Sequence, residues 1–213
     1  MSPHVMEESF ESVLLTNSRI KPVDAPDQIQ EIAWVAASRG GDTLAFNRLV
    51  LKWERPIYNL ALRMLQDPEE AAESTQEVFL SAFKNIGRFR QEARFSTWLY
   101  RIAMNQCISR LRRRPAETHY SLDDSRSDAS IGSRLPASES HEGAFLLEET
   151  RNRVRLALEH LPPEQRAVLE LKFFQDLTFE EIASVIQVPL STVKSRLYAA
   201  LEILKVRLGR ASV

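Results

Sequence analysis

Apolar residues recur at steps of three and four along most of this chain, and this spacing constrains the fold more than any other feature. The longest such face covers six turns between Phe46 and Met64. Side chains spaced in this way lie on one face of an α-helix, whereas strands alternate with a period of two. Almost no strand pattern is present, so the sequence predicts an all-α fold. That face comprises Phe46, Leu49, Val50, Trp53, Ile57, Leu60, Ala61 and Met64.

Shorter helices are predicted on either side of this one. A first helix should start near residue 27 and end at the glycine pair 40–41, and Asp42 should cap the long helix that follows. Pro68 should begin a further helix that stops near Gly87 and buries Phe83. The buried face of the first helix is predicted to comprise Ile29, Ile32, Ala33 and Ala36.

The C-terminal segment has the pattern of a helix-turn-helix. Thr178 and Glu181 have the spacing of a capping box at the start of a two-turn helix. Ser191 is predicted to cap a longer, basic helix that follows a tight turn. Two short helices in this order, with the second one basic, are typical of a DNA-binding motif.

Serine, proline and acidic residues separate the two helical segments. We therefore predict four parts: an N-terminal extension (1–26), a helical domain (27–114), a flexible acidic linker (115–147) and a second helical domain (148–213). Net charge is +7 over residues 88–114, −6 over 115–150 and +3 over 151–213. This alternation indicates two surfaces for a polyanion, although solvated helix faces would give the same charge runs.

Several function classes are excluded by what the sequence lacks. Apolar runs reach only about five residues, which predicts no membrane contact, and the N-terminus has no secretory pattern. One cysteine, Cys107, supports neither a disulfide framework nor a cysteine-built metal site. Neither a catalytic triad nor a phosphate loop is visible, so we expect no enzyme activity, cofactor or metal. A redox-sensing role for Cys107 stays open, because nearby arginines could lower its pKa.

The last predicted helix presents polar side chains that could read DNA. In a helix-turn-helix, the N-terminal part of the second helix enters the major groove. Basic side chains there contact phosphates or guanine, and hydroxyl groups contact base edges. A helical hairpin with a solvated basic face is the alternative. The candidate residues are Thr192, Lys194, Ser195, Arg196 and Tyr198.

Arginines and aromatic residues alternate at the end of the first domain. This mixture suits single-stranded nucleic acid, because unstacked bases pack on aromatic rings while arginines follow phosphates. Phe95 and Trp98 also have helical spacing, so both could instead belong to the core. The candidates here are Arg88, Arg90, Arg94, Phe95, Arg101, Asn105, Arg112 and Arg113.

Taken in order, five motifs resemble the extracytoplasmic-function sigma factors, the compact group of the sigma-70 family. Two lie in the first domain and resemble regions 2.2 and 2.4, and three lie in the second and resemble regions 4.1 and 4.2. The motifs are ESTQEVFL (73–80), FSTWLYRIAMN (95–105), LPPEQRAVL (161–169), TFEEIA (178–183) and STVKSRL (191–197).

The resemblance implies a cytoplasmic transcription initiation factor. Its expected partners are core RNA polymerase, through the clamp helices and flap of the large subunits, and promoter DNA. Gln76, Glu77 and Leu80 would dock on polymerase. The arginine-rich block would melt the −10 element, with Arg112, Arg113 and Arg114 on phosphates, and the last helix would read the −35 duplex. An anti-sigma factor is the expected regulator, and the acidic linker would occupy the channel used later by RNA.

Three positions depart from the family pattern, namely Ser109, Gln187 and Ala199. Two rival hypotheses remain at this point. A stand-alone helix-turn-helix regulator would bind duplex DNA without polymerase, and a helical interaction module would bind no nucleic acid. We expect free protein to bind promoter DNA poorly, because the linker, which spans up to ~110 Å when extended, leaves the domain spacing loose.

Overall fold

The computed structural model describes residues 25–90, 93–114 and 155–209, with side chains from residue 28 onward. These ranges are helical and contain no strand, which confirms the all-α prediction. Apart from its last two residues, the predicted N-terminal extension lies outside the described residues, as does the predicted linker. In chain order the helices are α1 (Ala25–Arg39), α2 (Thr43–Leu65), α3 (Pro68–Asn85), α4 (Phe95–Arg113), α5 (Pro163–Leu169), α6 (Phe179–Ile186) and α7 (Leu190–Gly209).

Helices α1–α4 form the first bundle around the apolar face of α2. Leu49, Ile57 and other residues of that predicted face are buried, and the core continues into α3 and α4. Asp42 caps α2 as predicted, since its Oδ1 accepts hydrogen bonds from the amides of Leu44 and Ala45 at 2.8 and 3.1 Å. Asp67 caps α3 in the same way. Local sequence signals thus set where both helices begin.

The buried face of α1 differs from the predicted one. Ile29 and Ile32 are 72% and 62% exposed, and Ala33 and Ala36 are exposed as well. Val35 and Ser38 are buried instead.

A polar contact explains this orientation of α1. The Glu31 carboxylate accepts a hydrogen bond from Nε1 of the buried Trp53 at 3.0 Å and pairs with Lys52 at 2.8 Å. A buried indole N–H needs an acceptor, so this bond turns the Glu31 side of α1 toward α2. The prediction that Phe83 is buried is also wrong, because this residue is 49% exposed, although its ring makes an edge contact with Phe46.

Helices α5–α7 form the second unit. Residues 155–159 are also helical, and a π-helical stretch, Glu170–Phe174, continues α5. The capping box predicted at α6 is present, with Thr178 and Glu181 each bonded to the other's backbone. Ser191 is not the cap of α7, because the helix begins one residue earlier and the carbonyl of Pro189 accepts its first amide bonds.

The two units are in contact. Helix α4 packs against α5 and α6, and α2 touches α5 and the π-helical stretch. The loose spacing expected from the linker is therefore not the arrangement that the structure adopts. No helix within the described ranges is long and apolar enough to cross a membrane.

Candidate nucleic-acid and polymerase interfaces

The outer face of α3 carries the three residues predicted to dock on polymerase. Gln76, Glu77 and Leu80 are all exposed, and the Leu80 side chain is 58% exposed. Glu77 and Leu80 border a groove of about 920 Å³ between α3 and α4. An isolated exposed leucine needs no explanation, but one beside a groove is suited to contact a partner.

Opposite charges line the two walls of this groove. Glu70, Glu73 and Glu77 lie on the α3 side, and Arg110 and Arg113 lie on the α4 side. Arg110 pairs with Glu77 at 2.9 Å and with Glu73 at 3.2 Å. No local sequence pattern indicates these pairs, because they join residues more than thirty positions apart.

Glu77 is held in place by its neighbours on α4. The hydrogen bond from Arg110 lowers the pKa of the Glu77 carboxyl below its ordinary value, more than offsetting the opposing effect of burial. Gln106 also donates to this carboxylate. Glu77 is therefore ionised at neutral pH and fixed in orientation. A carboxylate held in this way can contact a partner more specifically than a mobile one.

The loop before α4 combines a buried aromatic cluster with exposed arginines. Phe89 and Phe95 are 7% and 4% exposed, and Trp98 lies 5.0 Å from Phe89 and 5.7 Å from Phe95 between ring centroids. Phe95 is therefore a core residue, as the alternative interpretation predicted, and not a surface residue. The exposed arginines around them are Arg88, Arg90 and Arg94.

A pocket of about 430 Å³ lies beside this aromatic cluster. Trp53, Phe89 and Phe95 supply its apolar walls, and Glu31 and Arg94 supply polar groups. Flat aromatic walls with charged groups at the edge can hold an unstacked base. Phe95 can thus contact nucleic acid only from within this pocket.

Two of the candidates along α4 have partners in the second unit. Asn105 and Arg113 are exposed. Arg101 instead donates to the carbonyl of Ser184 at 2.7 Å, and Arg112 is paired with Glu164.

Arg114, which the basic run suggested as a phosphate contact, has a structural role in the first bundle. Its Nη2 donates to the carbonyl of Leu65 at 2.9 Å and to Glu70 at 2.7 Å. The carbonyls in the last turn of a helix lack partners within the helix. Arg114 therefore closes the end of α2.

The N-terminal half of α7 presents the candidate duplex-reading face. Lys194, Ser195 and Tyr198 are exposed, whereas Thr192 and Arg196 are half-buried. Val193 and Leu197 on the opposite side are fully buried, so the helix is anchored with its polar face outward. The sequence thus predicted correctly which side of α7 is buried.

Two residues beside this face were not predicted. The ammonium groups of Lys172 and Lys194 lie 5.1 and 5.7 Å from the centroid of the Phe179 ring. Such cation–π contacts hold a lysine head group near one position. The motif TFEEIA contains Phe179, but only the folded chain brings both lysines to it.

Cys107 has no feature of a reactive thiol. The side chain is fully buried, and burial raises the pKa of the thiol to about 12, while a contact with Ser74 at 3.8 Å opposes the change only in part. Reactive cysteines have lowered pKa values and solvent access. The redox-sensor hypothesis therefore does not fit the structure. Within the described part of the chain, no group of three or more His, Cys, Asp or Glu side chains could hold a metal ion.

Comparison with known proteins agrees with this two-part arrangement. The family model Sigma-70 region 2 matches residues 49–116, and the model Sigma-70, region 4 matches residues 151–204. The chain is 36% identical to the RNA polymerase sigma-H factor of Pseudomonas aeruginosa over 82% of its own length and 92% of that protein's. It is 33% identical to the ECF RNA polymerase sigma factor SigW of Bacillus subtilis, over 79% and 91% of the two lengths.

A solved structure shares the fold. CnrH, determined in complex with the cytosolic domain of CnrY, aligns with a TM-score of 0.62 at 18% identity and covers 86% of this chain and 99% of that one. The sequence matches are close enough to define the family: the chain belongs to the extracytoplasmic-function group of the sigma-70 family. It is a sigma factor that directs transcription initiation, which excludes both rival hypotheses.

Proposed function

We propose that this sigma factor divides promoter recognition between its two helical units while the α3 face holds core RNA polymerase. One observation supports this division most strongly. The polar face of α7 and the α3 face with Gln76, Glu77 and Leu80 are exposed at the same time. A single chain can therefore bind polymerase and duplex DNA together.

The second unit would read the −35 duplex through α7. Lys194 and Arg196 supply positive charge for phosphates or guanine, and Thr192, Ser195 and Tyr198 supply hydroxyl groups. The cation–π contact with Phe179 would hold the Lys194 ammonium group at the edge of the DNA major groove. Lys172, which contacts the same ring, would add a phosphate contact.

The first unit would capture the melted −10 strand. Arg94 lines the pocket next to Phe89 and Phe95, and Arg88 and Arg90 are exposed on the preceding segment, so phosphates could follow the arginines while one base enters the pocket. Removing a base from the stack costs a few kcal/mol, and contacts with polymerase would help to offset that cost. Asn105 and Arg113 would meet the duplex just upstream.

Core polymerase would contact the α3 face through its clamp helices and the second unit through its flap. We propose that the chain itself makes and breaks no covalent bond and acts in the cytoplasm, where polymerase meets DNA. An anti-sigma factor would regulate it, as the structure of the sigma factor RpoE bound to the anti-sigma factor NepR from Bartonella quintana, a chain of similar fold, suggests. Leu80 and Phe83, 58% and 49% exposed on α3, would be covered by either partner.

Promoter-dependent transcription with purified core polymerase tests the −35 assignment. Arg196→Ala should lower initiation at least severalfold on a promoter that has the −35 element, because one good base contact contributes ~1–3 kcal/mol. Lys205→Ala is the matched control, since Lys205 is an exposed basic residue on the same helix beyond the reading positions. Equal loss in both variants, or no loss in Arg196→Ala, would contradict the assignment.

A further inference from the structure

The outward side of α2 carries a regular stripe of side chains that none of the sites above uses. Four exposed residues follow one another at steps of four, three and four positions. Residues three and four apart on a helix are neighbours on its surface, so these four form one line. This line, the α2 stripe, comprises Leu44, Arg48, Leu51 and Arg55.

The spacing of the α2 stripe is that of the a and d positions of a coiled coil. Side chains at those positions pack into a facing helix. Beyond Arg55 the same spacing continues to Tyr58 and Leu62, but both are half-buried and packed against the core. The open part of the line therefore extends over about three turns, or ~17 Å at 1.5 Å per residue. One short partner helix would cover it.

The two leucines of the stripe leave α2 apolar on a side that the first bundle does not cover. Leu44 and Leu51 are 71% and 77% exposed. Leu49, Trp53 and Ile57 lie on the other side of the helix and are buried in the core. A single exposed leucine needs no explanation, but two on one line are suited to contact a partner.

The two arginines determine the charge of that partner. The Arg48 guanidinium lies 6.0 Å from the centroid of the Trp34 ring, and this cation–π contact restricts where the group can go. Neither Arg48 nor Arg55 pairs with a carboxylate in the part of the chain that the structure describes. A facing helix would remove water from both guanidinium groups, and a charge that loses water needs a charged partner. The partner must therefore carry carboxylates.

We propose that the α2 stripe binds an acidic amphipathic α-helix of a partner protein, whose apolar side chains cover Leu44 and Leu51 and whose carboxylates pair with Arg48 and Arg55. Recognition of a helix through side chains at three- and four-residue steps is a recurring mode of protein binding. A contact of about three turns is smaller than the interface of a stable complex. Binding is therefore weak and reversible, which suits a regulatory contact.

Other occupants fit the stripe less well. Its four residues include no acid, so a second copy of this chain would set arginine against arginine or leucine, and like charges disfavour such a pairing. The phosphates of nucleic acid would pair with the arginines but would leave the leucines without an apolar contact. An acidic amphipathic helix satisfies both kinds of side chain.

The stripe is separate from the face proposed to dock on polymerase. Gln76 and Leu80 lie on α3, and α3 packs on the buried side of α2, where the Phe46 ring contacts Phe83. A helix bound to the stripe would leave the α3 face open. A regulator could therefore bind the sigma factor while polymerase holds it.

Fluorescence anisotropy with designed peptides tests the stripe on the full-length chain. The probe is a labelled helical peptide of about three heptads, in which leucine and glutamate alternate along one side and alanine and glutamine fill the rest. It should bind about tenfold more tightly than the same peptide with lysine in place of glutamate, because like charges across an interface repel.

Truncation of one leucine tests the apolar part of the contact. Leu51→Ala should weaken binding of the glutamate peptide about fivefold, as loss of a central apolar contact does in other interfaces. Val206→Ala is the matched control, since Val206 is 48% exposed on α7, and it should bind the peptide as the unchanged chain does.

A charge reversal distinguishes the stripe from general electrostatic attraction. The double variant Arg48→Glu, Arg55→Glu should lose the glutamate peptide and bind the lysine peptide instead. Both positions are exposed, so helical content measured by circular dichroism should not change. Absence of binding, equal binding of both peptides, or the same preference in the double variant would overturn the proposal. Displacement of the peptide by single-stranded DNA, or a dimer of this chain that Leu51→Ala dissociates, would overturn it as well.

Discussion

Gln187 holds the turn between α6 and α7 in the left-handed region of the backbone map, at φ 55° and ψ 49°. A side chain with a Cβ atom costs ~1–2 kcal/mol in this conformation, whereas glycine adopts it freely. Gln187 is exposed. Gln187→Gly should therefore relieve strain without opening a cavity.

The expected gain follows from two opposing effects. Strain relief of ~1–2 kcal/mol is reduced by the greater backbone entropy of unfolded glycine, ~0.5–1 kcal/mol. We expect Gln187→Gly to raise the free energy of unfolding by a net ~0.5–1 kcal/mol, measured by urea unfolding with an unchanged slope.

Two further variants identify the cause of that gain. Gln187→Ala keeps a Cβ atom in the strained conformation and should give no gain, and Gln187→Asn should give an intermediate one because asparagine tolerates the left-handed region. If the glycine variant were no more stable than the alanine variant, the strain argument would be refuted.

Other predictions concern the first bundle. Cys107 should resist alkylation in the native protein at pH 8, because a pKa of about 12 leaves about one thiolate in 10⁴ molecules. Unfolding in urea should restore ordinary thiol reactivity. Rapid labelling of the native protein would contradict the burial of Cys107. Nuclear magnetic resonance titration should give Glu77 a pKa below 4.5, and Arg110→Ala should raise it. The folded pKa is lowered, so this carboxylate contributes stability above its unfolded pKa and loses it as the pH falls through the folded value. An equal pKa in both proteins would exclude the Arg110 contact.

Much of the fold was predictable because helix signals are local. The apolar spacing of α2, the cap at Asp42 and the capping box at Thr178 each depend on residues within a few positions. The polar face of α7 followed from the same logic, because Val193 and Leu197 determine which side is buried. Periodicity therefore located the duplex-reading candidates as well as the helices.

The prediction failed where distant polar partners decide the outcome. Ile29 and Ile32 suggested one face of α1, but the bond from Trp53 to Glu31 selects another. Spacing alone gives no information about such a pair.

Partners of residues at the end of the basic block could not be predicted for the same reason. Arg112 and Arg114 looked like a uniform phosphate-binding run, yet the folded chain gives each a different partner, Glu164 for one and Glu70 for the other. The contact between Arg63 and Glu170 joins residues 107 positions apart, which no local pattern can indicate.

Binding to core RNA polymerase tests the central claim most directly. The unchanged chain should co-elute with sigma-free core polymerase at a one-to-one ratio on a sizing column at moderate salt. Gln76→Ala with Glu77→Ala should weaken that association without loss of helical content. Glu54→Ala, which removes one exposed carboxylate from α2, should not. Separate elution of the unchanged chain, or equal binding by the double variant, would contradict the assignment of the α3 face.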